Sequence, residues 1–131
     1  MKYLLPFILL CSVVTYGQSA EDYFKKGLSK NNLKDYKGAI SEFSRAIELD
    51  SNYASSYEQR GYAKANLQDY SGAKSDFNKA IKLGATHAYV YYARGNSKIN
   101  LGQIDSACKD YKKAEKLGFK GVSSMVRRHC N

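Results

Sequence analysis

Residues 57–80, YEQRGYAKANLQDYSGAKSDFNKA, carry the pattern that decides the fold. Tyr57 and Gly61 lead into a short polar turn, and Ala73, Phe77 and Ala80 follow it. A step of 34 residues in either direction meets the same chemistry again. Tyr23 and Tyr91 match Tyr57, Gly27 and Gly95 match Gly61, Leu33 and Leu101 match Leu67, and Ala39 and Ala107 match Ala73. Phe43 and Tyr111 match Phe77, Ala46 and Ala114 match Ala80, and Leu49 and Leu117 match Leu83. Seven columns in register over three copies are not composition noise. A period of this length with this content marks helix-turn-helix units stacked into a solenoid.

The physics of one copy leads to the same place. Ala39, Phe43, Ala46 and Ile47 follow steps of i, i+4, i+7 and i+8, which place four apolar groups on one helical face. The helix before it, over about 20–33, ends in the polar run Asn31-Asn32-Leu33-Lys34-Asp35. Small residues at Gly27 and Ala39 let two backbones approach toward the close end of the usual range, roughly 8–10 Å between axes, while Tyr23 and Phe43 fill the space beside them. One such hairpin cannot bury its apolar face alone, so about three must stack before the array is stable. The expected fold is all-α: a helical-repeat solenoid of three units, 20–53, 54–87 and 88–121, with a short capping helix over 122–131.

These residues give the chain a resemblance to the tetratricopeptide repeat (TPR) family, over about Ala20 to Gly121. It looks like a small exported member of bacterial type. The copies lack the family's late proline, with Ser51, Ala85 and Phe119 in its place, and Gly84 and Gly118 offer another way to end a helix. The resemblance implies a protein or peptide partner held on the concave face, which the first helix of each hairpin lines. The groove positions it implies are Phe24, Lys25 and Leu28 in copy one, Glu58, Gln59 and Tyr62 in copy two, and Tyr89, Tyr92 and Asn96 in copy three. Tyrosine offers large contact area with a polar tip, suited to an adaptable peptide site; the other reading is that these rings, Phe24 above all, pack between helices. One subtype grips a C-terminal carboxylate with Lys, Asn and Arg. Phe24, Leu28, Gln59 and Ala93 stand where that set would be needed, which argues against a chaperone-tail receptor.

The first nineteen residues read differently. Lys2 precedes an apolar stretch from Tyr3 to Tyr16, and the small residues Gly17 and Ser19 follow, as in a secretory signal. The stretch is short of the roughly 20 residues that span a membrane, although an uncleaved anchor is the competing reading. Cleavage after Ser19, or equally after Gln18 or Ala20, would leave an exported chain, periplasmic or secreted, with no stable membrane span. Leu10 before Cys11 does not suit lipoprotein processing. The remaining pair, Cys108 and Cys130, is a disulfide candidate in an oxidising compartment, because an antiparallel helix pair would bring the two positions together. Two separate thiols are the alternative; a metal site with His129 would lack a fourth ligand.

The formal net charge is +9 over 131 residues. Lys26, Arg60 and Arg94 precede the repeated glycines, and Glu42, Asp76 and Asp110 recur in the second helices, so each base can pair with the acid of its own hairpin. Lys30, Lys64 and Lys98 lie one turn later with no acid in evidence, a basic ladder that an anionic polymer could meet. Asn32, Asn66 and Asn100 form a further column, read either as helix-end formers or as amides that hold an extended peptide. No nucleic-acid motif, phosphate loop, HExxH or paired carboxylates appear, and His87 and His129 have no nucleophile or orienting acid evident nearby. The expectation is a non-enzymatic interaction module without a cofactor. The alternatives are an electrostatic binder of anionic polymer and a self-stacking subunit, the last requiring apolar surface left open by the terminal helix.

Overall fold

The computed structural model describes residues 18–131, so the expected signal segment, with Lys2, Pro6 and Cys11, lies outside the described residues. Three helical hairpins follow one another: α1 (Ala20–Asn32) with α2 (Tyr36–Leu49), α3 (Ala54–Asn66) with α4 (Tyr70–Lys82), and α5 (Ala88–Asn100) with α6 (Ile104–Lys116). A single 3-10 turn at Lys120–Val122 leads into the terminal helix α7 (Ser123–His129). Each second helix also packs on the first helix of the next hairpin, and the first helices α1, α3 and α5 touch in succession.

Close packing within each hairpin depends on the repeated glycine. A Cβ on Gly61 would sit 2.9 Å from the Phe77 ring, and one on Gly95 would sit 2.7 Å from the Tyr111 ring. Gly27 faces Phe43 in the same way. The ring from the second helix therefore lies directly on the backbone of the first. Around it, Ala39, Ala73 and Ala107 and the later Ala46, Ala80 and Ala114 are fully buried.

Helix ends follow local chemistry. Ser19 caps α1 in a reciprocal box: Asp22 N donates to Ser19 Oγ at 3.1 Å, and Ser19 N donates to Asp22 Oδ2 at 3.0 Å. These bonds hold the Asp22 carboxyl below its ordinary pKa. Of the three expected cleavage points, the one after Gln18 keeps this cap. Asp35 and Asp69 accept from Gly38 N and Gly72 N at 3.0 Å, and a Cβ on either glycine would collide with the capping carboxylate. Copy three has Gln103 and Ser106 at these places, and its helix starts without a side-chain cap. Gly84 and Gly118 end α4 and α6 at φ of +104° and +95°, in the role expected of them.

The open end of the stack is closed by the last residues. Val122 is fully buried against Tyr111 and Ala114, with Met125 and Val126 packed beside it. Cys108 and Cys130 are joined, with sulfurs 2.05 Å apart and Cα atoms 5.5 Å apart.

Candidate functional site

The seam between hairpins decides which charges remain available. Arg60 Nε and Nη2 donate to the two oxygens of Asp76 at 2.8 Å each, and Lys64 Nζ lies 3.0 Å from the same carboxylate. Arg94 repeats this on Asp110 at 2.9 and 2.7 Å, with Lys98 Nζ at 2.8 Å. Each guanidinium also reaches back to the preceding copy: Arg60 Nη1 donates to Ser44 Oγ at 3.2 Å and Arg94 Nη1 to Asn78 Oδ1 at 3.0 Å. The hydrogen bond to Asp76 raises the Arg60 pKa. Copy one has Lys26 in the arginine position, set over the Tyr23 ring, and Lys30 alone meets Glu42 at 3.0 Å.

The basic ladder expected from Lys30, Lys64 and Lys98 is therefore corrected. Every one of these lysines has a matched acid, and in copies two and three it is the same acid that serves the arginine one turn earlier. Their side-chain exposure falls from 39% to 21% to 11% along the stack, so the column is part of the packed seam. One carboxylate has two edges and can hold two cations; counting one acid for one base concealed this.

On the inner face the copies diverge. In copy one, Phe24 packs against Phe43 and Tyr53 with ring centroids 5.7 and 5.0 Å apart, Leu28 joins the same cluster, and Lys25 is exposed beside Glu21 at 3.2 Å. Phe24 and Leu28 are thus used in packing, whereas Lys25 stays at the surface. Glu58, expected to face a ligand, is buried, and its Oε2 lies 2.9 Å from His87 Nε2. His87 thus has the acid partner that the sequence did not reveal, since 29 positions separate them. Gln59 is half-buried and stands outside the cleft described next.

Between copies two and three an open cleft of about 170 Å³ is lined by Tyr62, Asn66, Tyr70, Tyr89, Tyr92 and Asn96, with Ala65, Phe77, Ala93 and Ser97 behind. Its walls are stacked rings: Tyr62 on Tyr89 at 5.0 Å and Tyr92 on Phe119 at 4.6 Å. Tyr89 is 40% exposed at the rim, and burial, with Tyr92 and Glu58 nearby, raises its pKa. Tyr62 Oη is buried and meets no protein partner. Tyr111 Oη donates to Asn96 Oδ1 at 2.7 Å, and burial first, then Tyr92 and Asp110, pushes its pKa up to about 12. No charged side chain lines the cleft.

A family model described as tetratricopeptide repeat matches residues 20–53, 54–86 and 88–117. The chain belongs to the tetratricopeptide repeat family. The first TPR domain of Spaghetti (RPAP3), bound to the HSP90 peptide SRMEEVD, is similar in structure with a TM-score of 0.80 at 24% identity, over 85% of this chain and 90% of that one. The second TPR domain of Spaghetti with the same peptide gives 0.73 at 26%, over 76% and 93%. The TPR domain of Arabidopsis OM64 gives 0.78 at 24%, over 85% and 96%. No curated protein matches the sequence significantly.

Within this TPR frame, sequence reasoning missed two lining or wall residues, Tyr70 and Phe119. Phe119 stands at the family's late proline, and that departure was its signal. Asn66 and Asn100 donate from Nδ2 to the carbonyls of Tyr62 and Asn96, each at 2.9 Å, so the asparagine column serves its own helix ends. Asn66 does so while facing the cleft. Among the described residues no three His, Cys, Asp or Glu side chains gather as a metal site, and no helix is long and apolar enough to cross a membrane.

Proposed function

We propose that this TPR protein is a non-enzymatic interaction module that holds an extended, largely uncharged segment of an exported partner in the cleft between copies two and three. The observation that carries the reading is the cleft itself: four tyrosines and two asparagines with no charge, in a protein whose net charge is +9. Tyrosine faces provide apolar contact, and the amides and the unpartnered Tyr62 hydroxyl provide hydrogen bonds to a peptide backbone. TPR domains of Spaghetti bind a peptide in the same fold, though that peptide is acidic; the neutral lining here favours a different class of sequence.

The electrostatic alternative loses support at Lys30, Lys64 and Lys98, which already hold acids. End-to-end stacking loses support because Val122, Met125 and Val126 cover the last hairpin. Affinity capture from the envelope fraction with the oxidised protein, beside a Tyr62→Ala/Tyr92→Ala variant, tests the reading. A discrete partner should be retained at high salt and lost in the variant, since contacts of this kind are little screened. A partner released by salt and indifferent to the variant would contradict it.

A further inference from the structure

The outward face of the last hairpin carries charge that no acid of the framework pairs, although Lys113 Nζ lies 5.9 Å over the Tyr91 ring. Lys109, Lys112, Lys113 and Lys116 follow steps of three and four along α6, so they share one stripe, and all four are exposed. Lys120, Arg127 and Arg128 continue it, equally exposed, on the 3-10 turn and α7. Among the described residues none of these seven forms an ion pair. The matching stripe is Ser41, Ser44, Arg45 and Glu48 on α2, and Ser75, Asn78, Lys79 and Lys82 on α4. Positive charge therefore builds toward one end of the solenoid.

The repeat explains why this end is free to differ. Ser44 and Asn78 accept from the arginine of the following copy, whereas Lys112 stands in the same column and α6 is followed by the 3-10 turn and α7. Next to it, Cys108–Cys130 ties α7 to α6. Beside that link lies a second cleft, about 210 Å³, lined by Asp105, Lys109, Lys112, His129 and Asn131 with the two cysteines. Asp105 is the one carboxylate side chain in this lining.

We infer that the stapled α6–α7 surface binds a linear anionic polysaccharide, whose charged groups lie along the lysine stripe and into the cleft beside the disulfide. Lysines are compact point charges that follow a flexible polyanion without demanding one planar geometry. The ring beside the stripe, Tyr91, is half-buried and lies under Lys113, so it offers no open face for stacking nucleobases. It also lacks an apolar row to enter a lipid surface: the exposed Ile104 and Leu117 sit at the two ends of α6, outside the stripe. This inference is independent of the peptide cleft.

Heparin is a suitable probe, titrated against the oxidised protein at low and physiological ionic strength. Lys109→Glu/Lys112→Glu and Lys113→Glu/Lys116→Glu should each weaken binding about tenfold or more at low salt. Lys34→Glu/Lys37→Glu, the same charge change on exposed residues of copy one, should weaken it less than about threefold. Arg127→Glu/Arg128→Glu, or reduction of the disulfide, should give an intermediate loss, and these carry the test if an α6 variant fails to fold by circular dichroism. Equal losses in the α6 and copy-one pairs would overturn the site. Equal or tighter binding of single-stranded DNA or of anionic lipid vesicles would overturn the class of ligand.

Discussion

In copies two and three the seam repeats almost atom for atom. Arg60 and Arg94 each take both oxygens of an aspartate, each shares it with a lysine, and each reaches back to a polar side chain of the copy before. On the inner face the position directly after the repeated glycine has no such constancy: the groove column reads Leu28, Tyr62, Asn96. The seam must satisfy the same geometry at every junction, so its chemistry is fixed by the stack. The inner face meets no neighbouring copy in that way and is free to vary, and the proposed recognition of a partner rests on that variation.

The sharpest break of this contrast is Asp76→Ala. It leaves Arg60 and Lys64 half-buried without their acid, and should cost about 3–5 kcal/mol, read as a lowered midpoint of thermal or urea unfolding. Glu42→Ala in copy one should cost below about 1 kcal/mol, because only the partly exposed Lys30 depends on it and Glu42 Oε2 has no partner at all. Equal losses at the two sites would show that the seam is not what distinguishes the copies.

Gly61→Ala comes next. The new Cβ meets the Phe77 ring at 2.9 Å, and overpacking of this kind should cost about 1–3 kcal/mol. Tyr111→Phe should cost about 1 kcal/mol by removing the bond to Asn96. It should also change the alkaline limb of stability. A tyrosine whose folded pKa stands at about 12, above the ordinary tyrosine value of about 10, contributes fully below the unfolded pKa and is lost as pH rises through the folded one. Stability of the parent protein should therefore fall between these two values, less steeply in the variant, in denaturant titrations across that range. The smallest effect on folding belongs to Asn66→Ala, within about 0.5 kcal/mol, while partner capture should drop because Asn66 faces the cleft.

The repeat spacing made the framework legible: the glycines, alanines and rings stand in register because every hairpin solves the same packing problem. The Arg60–Asp76 and Arg94–Asp110 pairs were readable for that reason, and Cys108–Cys130 from the expected antiparallel helices. Less was legible at the site. Phe24 and Leu28 occupy groove positions yet pack inward, since copy one brings Tyr53 over Phe24 from a loop. Glu58 and His87 meet only after two hairpins stack, and the lysines of the seam share acids already assigned. The Glu58–His87 contact joins residues 29 positions apart, and the lysines of copies two and three put a second base on an acid already paired; a column-by-column reading sees neither.

Site-specific photocrosslinking tests the central claim most directly. A photoreactive residue placed at Tyr89, on the rim of the cleft, is compared with one at Glu48, exposed on the outer face of copy one. The account predicts a discrete partner adduct from position 89, diminished by Asn66→Ala, and none from position 48. A partner adduct from position 48 with none from 89 would contradict it.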